Sequence, residues 1–193
     1  MLSFQKLEDH RVLLSLIEME DTGKLLSIAK EPGLIQYSPG EIHTEDALNN
    51  YTEMALKDYH NGSAIPVIIY DKKVRRFAGS TRFGKIDHLN KVLHIGWTWI
   101  GKDFQGSGLN NNMKYLMLEY AFETLGFFKV EFRIDERNTR SRHAVEKIGA
   151  SLEGILRKDT ILSDGFRRNT CCYGILIEEW PDIKADLISI LSK

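Results

Sequence analysis

The stretch Gln105–Asn112, QGSGLNNN, sets two glycines and three asparagines between an apolar run and an amphipathic one. Glycine takes positive φ without steric cost and lets another group approach the main chain, while asparagine tolerates the left-handed region and caps helices. Such a turn is either a plain connection or a cradle for an anion, and its flanks bear on which. Upstream, residues 91–100 (KVLHIGWTWI) alternate Leu93, Ile95, Trp97 and Trp99 against the other face, which reads as a strand. Downstream, Met113, Leu116, Met117, Tyr120 and Ala121 fall at helical spacing, and Gly126 stands where a helix stops. FFKVEFRI then alternates Phe128, Val130, Phe132 and Ile134 with Lys129, Glu131 and Arg133, a strand with one solvated or charged face. Strand, glycine turn, helix and strand in this order offer main-chain N–H groups and a helix N-terminus to an anion, for which phosphate is the natural guest.

The rest of the chain fits around this unit. Residues 11–19 read as a strand and residues 22–29 as a helix. A second helix begins after Thr44 as N-cap, carries Glu45 and Asp46 in its first turn, and ends at Asn61-Gly62. Residues 65–70 and 74–83 read as a hairpin about a turn at 71–73, and with residues 91–100 they suggest an antiparallel meander. A helix over 139–148 stops at Gly149, and residues 154–162 pair with 167–177 across Ser163-Asp164-Gly165. Glu179-Trp180-Pro181 opens a last helix. The expected architecture is mixed α+β around one mostly antiparallel sheet, in one domain over residues 1–193.

With 26 basic and 27 acidic side chains the formal net charge is −1, so the totals do not favour nucleic acid, and a small molecule or a protein is the expected substrate. Neither a leader pattern nor a membrane-length apolar run is evident, so a cytoplasmic protein without a membrane partner is expected. Cys171 and Cys172 are adjacent and point to opposite faces of an extended strand, so they are read as reduced thiols. The six histidines form no ligand spacing, and no metal is expected. Trp97 and Trp99 lack basic, aromatic-interleaved surroundings and are read as core or pocket wall.

Two nucleotide motifs fail: Asn111 stands at the third glycine of GxGxxG, and no GxxxxGK[ST] occurs. Instead TWIGKDFQGSGLNNNMK, the helix ending AFETLG, the strand KVEFRIDERN and TRSRHAVEKIGASLEGILR together resemble the acyl-CoA core of the GNAT N-acetyltransferase superfamily. Within it the likeness is greatest to the branch that acetylates N-termini of ribosomal proteins, over residues 64–180.

The resemblance implies the GNAT fold, with splayed central strands, and acetyl-CoA as cosubstrate with an amine as its partner, in a monomer or homodimer. It implies that the turn Gln105, Gly106, Ser107, Gly108, Leu109, Asn110 grips the pyrophosphate through its amides, with Asn110 in place of the usual small residue. It implies that main-chain groups at Trp99 and Ile100 hold the thioester and that Asn138 meets the pantetheine arm; as a residue Asn138 is also a plain N-cap. Ser141 shares the inward face of Ala144, Val145 and Ile148, as a small packing residue does, and the resemblance makes it the proton donor to the leaving thiolate. Tyr173 is the rival donor, or a core aromatic. Arg137, Arg140 and Arg142 are either a solvated cluster or contacts for coenzyme phosphates. The base is read as Asp159, opposite in facing to Thr160, or a water relay. Substrate choice is expected from residues 22–60, 84–90 and 163–168.

Overall fold

A computed structural model of the chain describes residues 4–192. Eight strands form one sheet in the order β1-β2-β3-β4-β5-β6-β8-β7: β1 (Leu7–Glu8), β2 (Val12–Leu16), β3 (Ile65–Asp71), β4 (Arg76–Asp87), β5 (Val92–Ile100), β6 (Lys129–Asp135), β7 (Ser151–Ile161) and β8 (Arg167–Leu176). All neighbours are antiparallel except β5 and β6, so the fold is mixed α+β as its residue patterns predict. The helices are α1 (Thr22–Ala29), α2 (Glu45–His60), α3 (Leu109–Glu119), α4 (Thr139–Lys147) and α5 (Trp180–Leu191).

Local chemistry sets the boundaries. Thr44 caps α2 by accepting the Ala47 amide at 3.1 Å, and Glu45 and Asp46 lie in its first turn. The strand expected over residues 11–19 is the shorter β2, because Glu18 and Asp21 close a capping box around a single 3₁₀ turn that starts at Met19. β1, two residues long, is too short to show a period in the sequence. The β3–β4 turn occupies residues 72–75, since Asp71 stays paired with Val12 and its carboxylate accepts the amides of Lys73 and Val74. Phe128 falls outside β6 and is exposed, while Val130 and Phe132 of the same expected face are buried.

Neighbouring residues of β4 show how the layers are arranged. Thr81 bonds Thr98, which receives Lys114 of α3, whereas the next residue, Arg82, stacks on Tyr51 of α2. Successive strand residues face opposite sides, so α2 and α3 cover opposite faces of the sheet. The buried apolar side chains of both layers form one continuous core.

Candidate active site

β5 and β6 are paired only where Val92, Leu93 and His94 meet Lys129, Val130 and Glu131. At the closed end of this fork His94 Nε2 lies 2.7 Å from Glu131 Oε2, and Lys129 joins Glu131 to Glu153 at 3.1 and 2.8 Å. The charged face expected of β6 is therefore a cross-strand ion network more than a solvated surface. Beyond His94 the edge of β5 has no strand partner on that side. A register shift opposite Ser80 and Arg82 puts a bulge into β5, with Trp97 at φ 49. The bulge breaks the expected alternation: Trp99 is 3% exposed, but Trp97 is 38% exposed and its ring lies over Gly84, where a Cβ would have no room.

The open part of the fork enters a cavity of about 1270 Å³, lined at one end by Trp99, Ile100, Gln105, Gly106, Gly108 and Asn110, with Asn138 and Ser141 of α4 beside them. Gly106 and Gly108 have φ 74 and 88. A Cβ at Gly108 would meet nothing within 4 Å, so the left-handed backbone, not crowding, calls for glycine there. Among the described residues the amides of Gly106, Ser107 and Gly108 have no main-chain or side-chain acceptor, and α3 starts at the next residue. Unpaired amides and the positive end of a helix lie together at this end of the cavity, which suits a polyphosphate. Gln105 braces the loop: Nε2 donates to the Ile100 carbonyl at 2.7 Å, and Oε1 accepts from Arg140 at 2.7 Å. Ser107 and Leu109 leave the cavity wall, because the Ser107 hydroxyl donates to the Phe104 carbonyl at 2.6 Å and Leu109 is buried in the core. Any part these two take is through their main chain.

Asn138 caps α4, its Oδ1 accepting the Ser141 amide at 3.1 Å. The Ser141 hydroxyl makes no hydrogen bond among the described residues and lies on the cavity wall. Tyr173, the rival donor, stands elsewhere. Fully buried and absent from the wall, it donates its hydroxyl to Glu146 at 2.7 Å and accepts Arg142 Nε at 3.0 Å. That contact also takes Arg142 off the cleft, while Arg137 and Arg140 remain on it. Arg137 makes two bonds to Asp135, at 3.0 and 2.7 Å, and stacks 3.7 Å from the Phe166 centroid. Asp159 and Thr160 also lie off the cavity, since the sheet order sets β7 outside β8, and Asp159 accepts the Thr170 hydroxyl at 2.6 Å. Nor do residues 84–90, expected to bear on substrate choice, reach the wall.

A family model described as "Acetyltransferase (GNAT) domain" matches residues 11–151. The chain belongs to the GNAT acetyltransferase family. It is 30% identical over 117 residues to "Putative ribosomal N-acetyltransferase YdaF" of Bacillus subtilis (strain 168), a match covering 61% of each chain. It is 25% identical over 167 residues to spermidine N(1)-acetyltransferase of Escherichia coli (strain K12), covering 82% of each. A crystal structure described as "putative acetyltransferase" from T. thermophilus superposes with a TM-score of 0.88 at 32% identity, over 99% of this chain and 100% of that one. The protein is thus an N-acetyltransferase that uses acetyl-CoA to acetylate an amine.

The other walls of this GNAT cleft hold residues that its motifs do not announce. On the α3 side Lys114 is 5% exposed, donates to Thr98 Oγ1 at 3.2 Å and lies 5.8 Å from the Phe132 centroid. It has no carboxylate partner among the described residues, and burial pushes its amine down to about 7. On the α2 side Arg82 lies 5.1 Å from the centroids of both Tyr51 and Trp97. The loop 33–42 roofs this end: Arg168 donates to the Tyr37 carbonyl at 2.9 Å and Arg137 stacks on the Tyr37 ring at 5.5 Å. The only local cue for both cations is a charged residue beside a large apolar one. Lys114 directly follows Met113, and Arg82 directly precedes Phe83. Among the described residues no group of three or more His, Cys, Asp or Glu side chains could hold a metal ion, and no helix is long and apolar enough to cross a membrane.

Proposed function

We propose that the protein moves the acetyl group from acetyl-CoA to a primary amine by direct attack in a ternary complex, with a protein N-terminal amine as the first candidate acceptor. The observation that carries this reading is the unpaired edge of β5 leading from Trp99 and Ile100 to the free amides of the glycine loop. Pantetheine lies along that edge as a substitute strand, the loop takes the pyrophosphate, and a main-chain amide near Trp99 meets the developing oxyanion. Ser141 protonates the departing thiolate. With Asp159 off the cleft, the ammonium proton leaves through water toward Glu41 or Asp58, the wall carboxylates other than the Arg137-bound Asp135.

Ribosomal acetylation, named for the YdaF relative, supports an N-terminal amine; the loop 33–42, tied across the cleft, favours the second reading, a compact small-molecule amine. Initial rates of thiol release across a panel of amino acids, polyamines and free-N-terminus peptides test the proposal. Intersecting double-reciprocal lines with at least one amine are expected. Tight acetyl-CoA binding with no amine-dependent thiol release would make the protein an idle acyl-CoA-binding module, and parallel lines would replace direct attack with a covalent intermediate.

A further inference from the structure

Among the described residues, Arg82 is a buried charge whose hydrogen-bonding capacity is unmet. It is 5% exposed and lies on the cavity wall, yet none of its five side-chain N–H groups makes a hydrogen bond among the described residues. Nε is buried without a partner, and the one ion-pair contact is Asp58 Oδ2 at 3.5 Å from NH1, with the Asp58 side chain 46% exposed. The Tyr51 and Trp97 rings lie near the guanidinium carbon and supply no acceptor for its N–H donors. A second buried donor on the same wall, Trp99 Nε1, also lacks a partner, and the Trp99 ring stands against Tyr51 at 6.4 Å. Buried charged donors are normally paired, because leaving them bare costs more than the pair returns. The guanidinium NH1 and NH2 groups, which are not closed off as Nε is and make no hydrogen bond among the described residues, call for an acceptor-rich group from the ligand.

We propose that the acceptor is an amine bearing a carboxylate a few bonds from its nitrogen, with the carboxylate on Arg82 and the nitrogen turned toward the fork at Trp99. This rests on the amine-acetylation reading and narrows it. The carboxylate belongs either to the α-carbon of a free amino acid or to the side chain of an acidic first residue. A polycation meets Arg82 as a like charge, so polyamines are poor acceptors here, although one relative is named for spermidine. A planar fork of donors suits a carboxylate better than a lysine ammonium does.

The test compares matched pairs with the wild-type enzyme: free glutamine against glutaminamide, and amidated peptides starting with Glu against those starting with Gln, with spermidine as a third arm. The expected result is a preference in kcat/KM for one carboxylate form of about thirtyfold to a thousandfold, the range for a buried charged pair. Which pair shows it identifies the carboxylate. Arg82→Gln should erase that preference and Arg82→Lys restore part of it, with acetyl-CoA-induced thermal stabilisation confirming that each variant folds. Equal rates within both pairs, or spermidine as the best acceptor, overturn the proposal while leaving amine acetylation intact. A preference that survives Arg82→Gln overturns the role of Arg82. Absence of transfer to any amine instead refutes the reading on which the proposal rests.

Discussion

At the glycine-loop end of the cleft the available groups are main-chain amides, those of Gly106 and Gly108; at the other end they are side chains gathered from Tyr51, Arg82 and Trp97. The first set depends on one backbone conformation and is indifferent to most side chains around it. The second depends on separate elements meeting correctly and changes with any single substitution. A loop of amides can serve one invariant ligand while the opposite wall is altered for different acceptors.

The side-chain half carries its cost in the folded state, and the largest effect should come from Lys114. Its folded value of about 7 lies below the free value of 10.5, so between these pH values the unfolded chain holds more protons and stability rises with pH. Below about 7 the full penalty applies, on the order of 5 kcal/mol at about 1.4 kcal/mol for each tenfold change in proton affinity. Lys114→Met should therefore be more stable than the parent at pH 7, with the gap closing toward pH 10, as urea unfolding at the two values would record. A variant weaker at pH 7 with no such slope would mean that Lys114 is charged and well served.

Next in size is the main-chain half. Gly108→Val puts a β-branched residue at φ 88 and a side chain into the open space before the amides. Acetyl-CoA affinity by calorimetry should fall about a hundredfold, from strain of roughly 1–3 kcal/mol and lost amide contacts. Full affinity in a folded variant would move the phosphate site elsewhere. The smallest effect is expected where the halves meet. Ser141→Ala should lower kcat about tenfold to a hundredfold with acetyl-CoA affinity kept, at the low end for acid catalysis because a thiolate leaves readily. Normal turnover would assign protonation to water, since Tyr173 is committed to Glu146.

Legibility in the sequence follows the same division. The Thr44 cap, the α3 spacing, the 163–165 turn and the glycine loop are local patterns, so their residues reveal them directly. The bulge that turns Trp97 outward is invisible, because one inserted residue leaves the alternation of KVLHIGWTWI unchanged on paper. Asp159 and Tyr173 escape a local reading for a topological reason. Nothing in their neighbourhood says that β8 crosses to lie between β6 and β7. Lys114 and Arg82 gain their meaning from partners distant in sequence, Thr98 and Phe132 for the first and Asp58, Tyr51 and Trp97 for the second.

The outermost strand has a consequence for how copies of the molecule meet. β7 leaves Leu152, Ile155, Leu156 and Ile161 exposed beside an open row of amides and carbonyls, the kind of edge on which strands of other molecules polymerise. Its ladder to β8 slips twice, after Leu152 and after Leu156, and Lys158 sits between the later slip and Thr160 at φ 56. No straight template longer than three residues survives, and Arg157 and Lys158 add charge at the break. The irregular backbone of this strand leaves no long, straight match for a strand of another molecule.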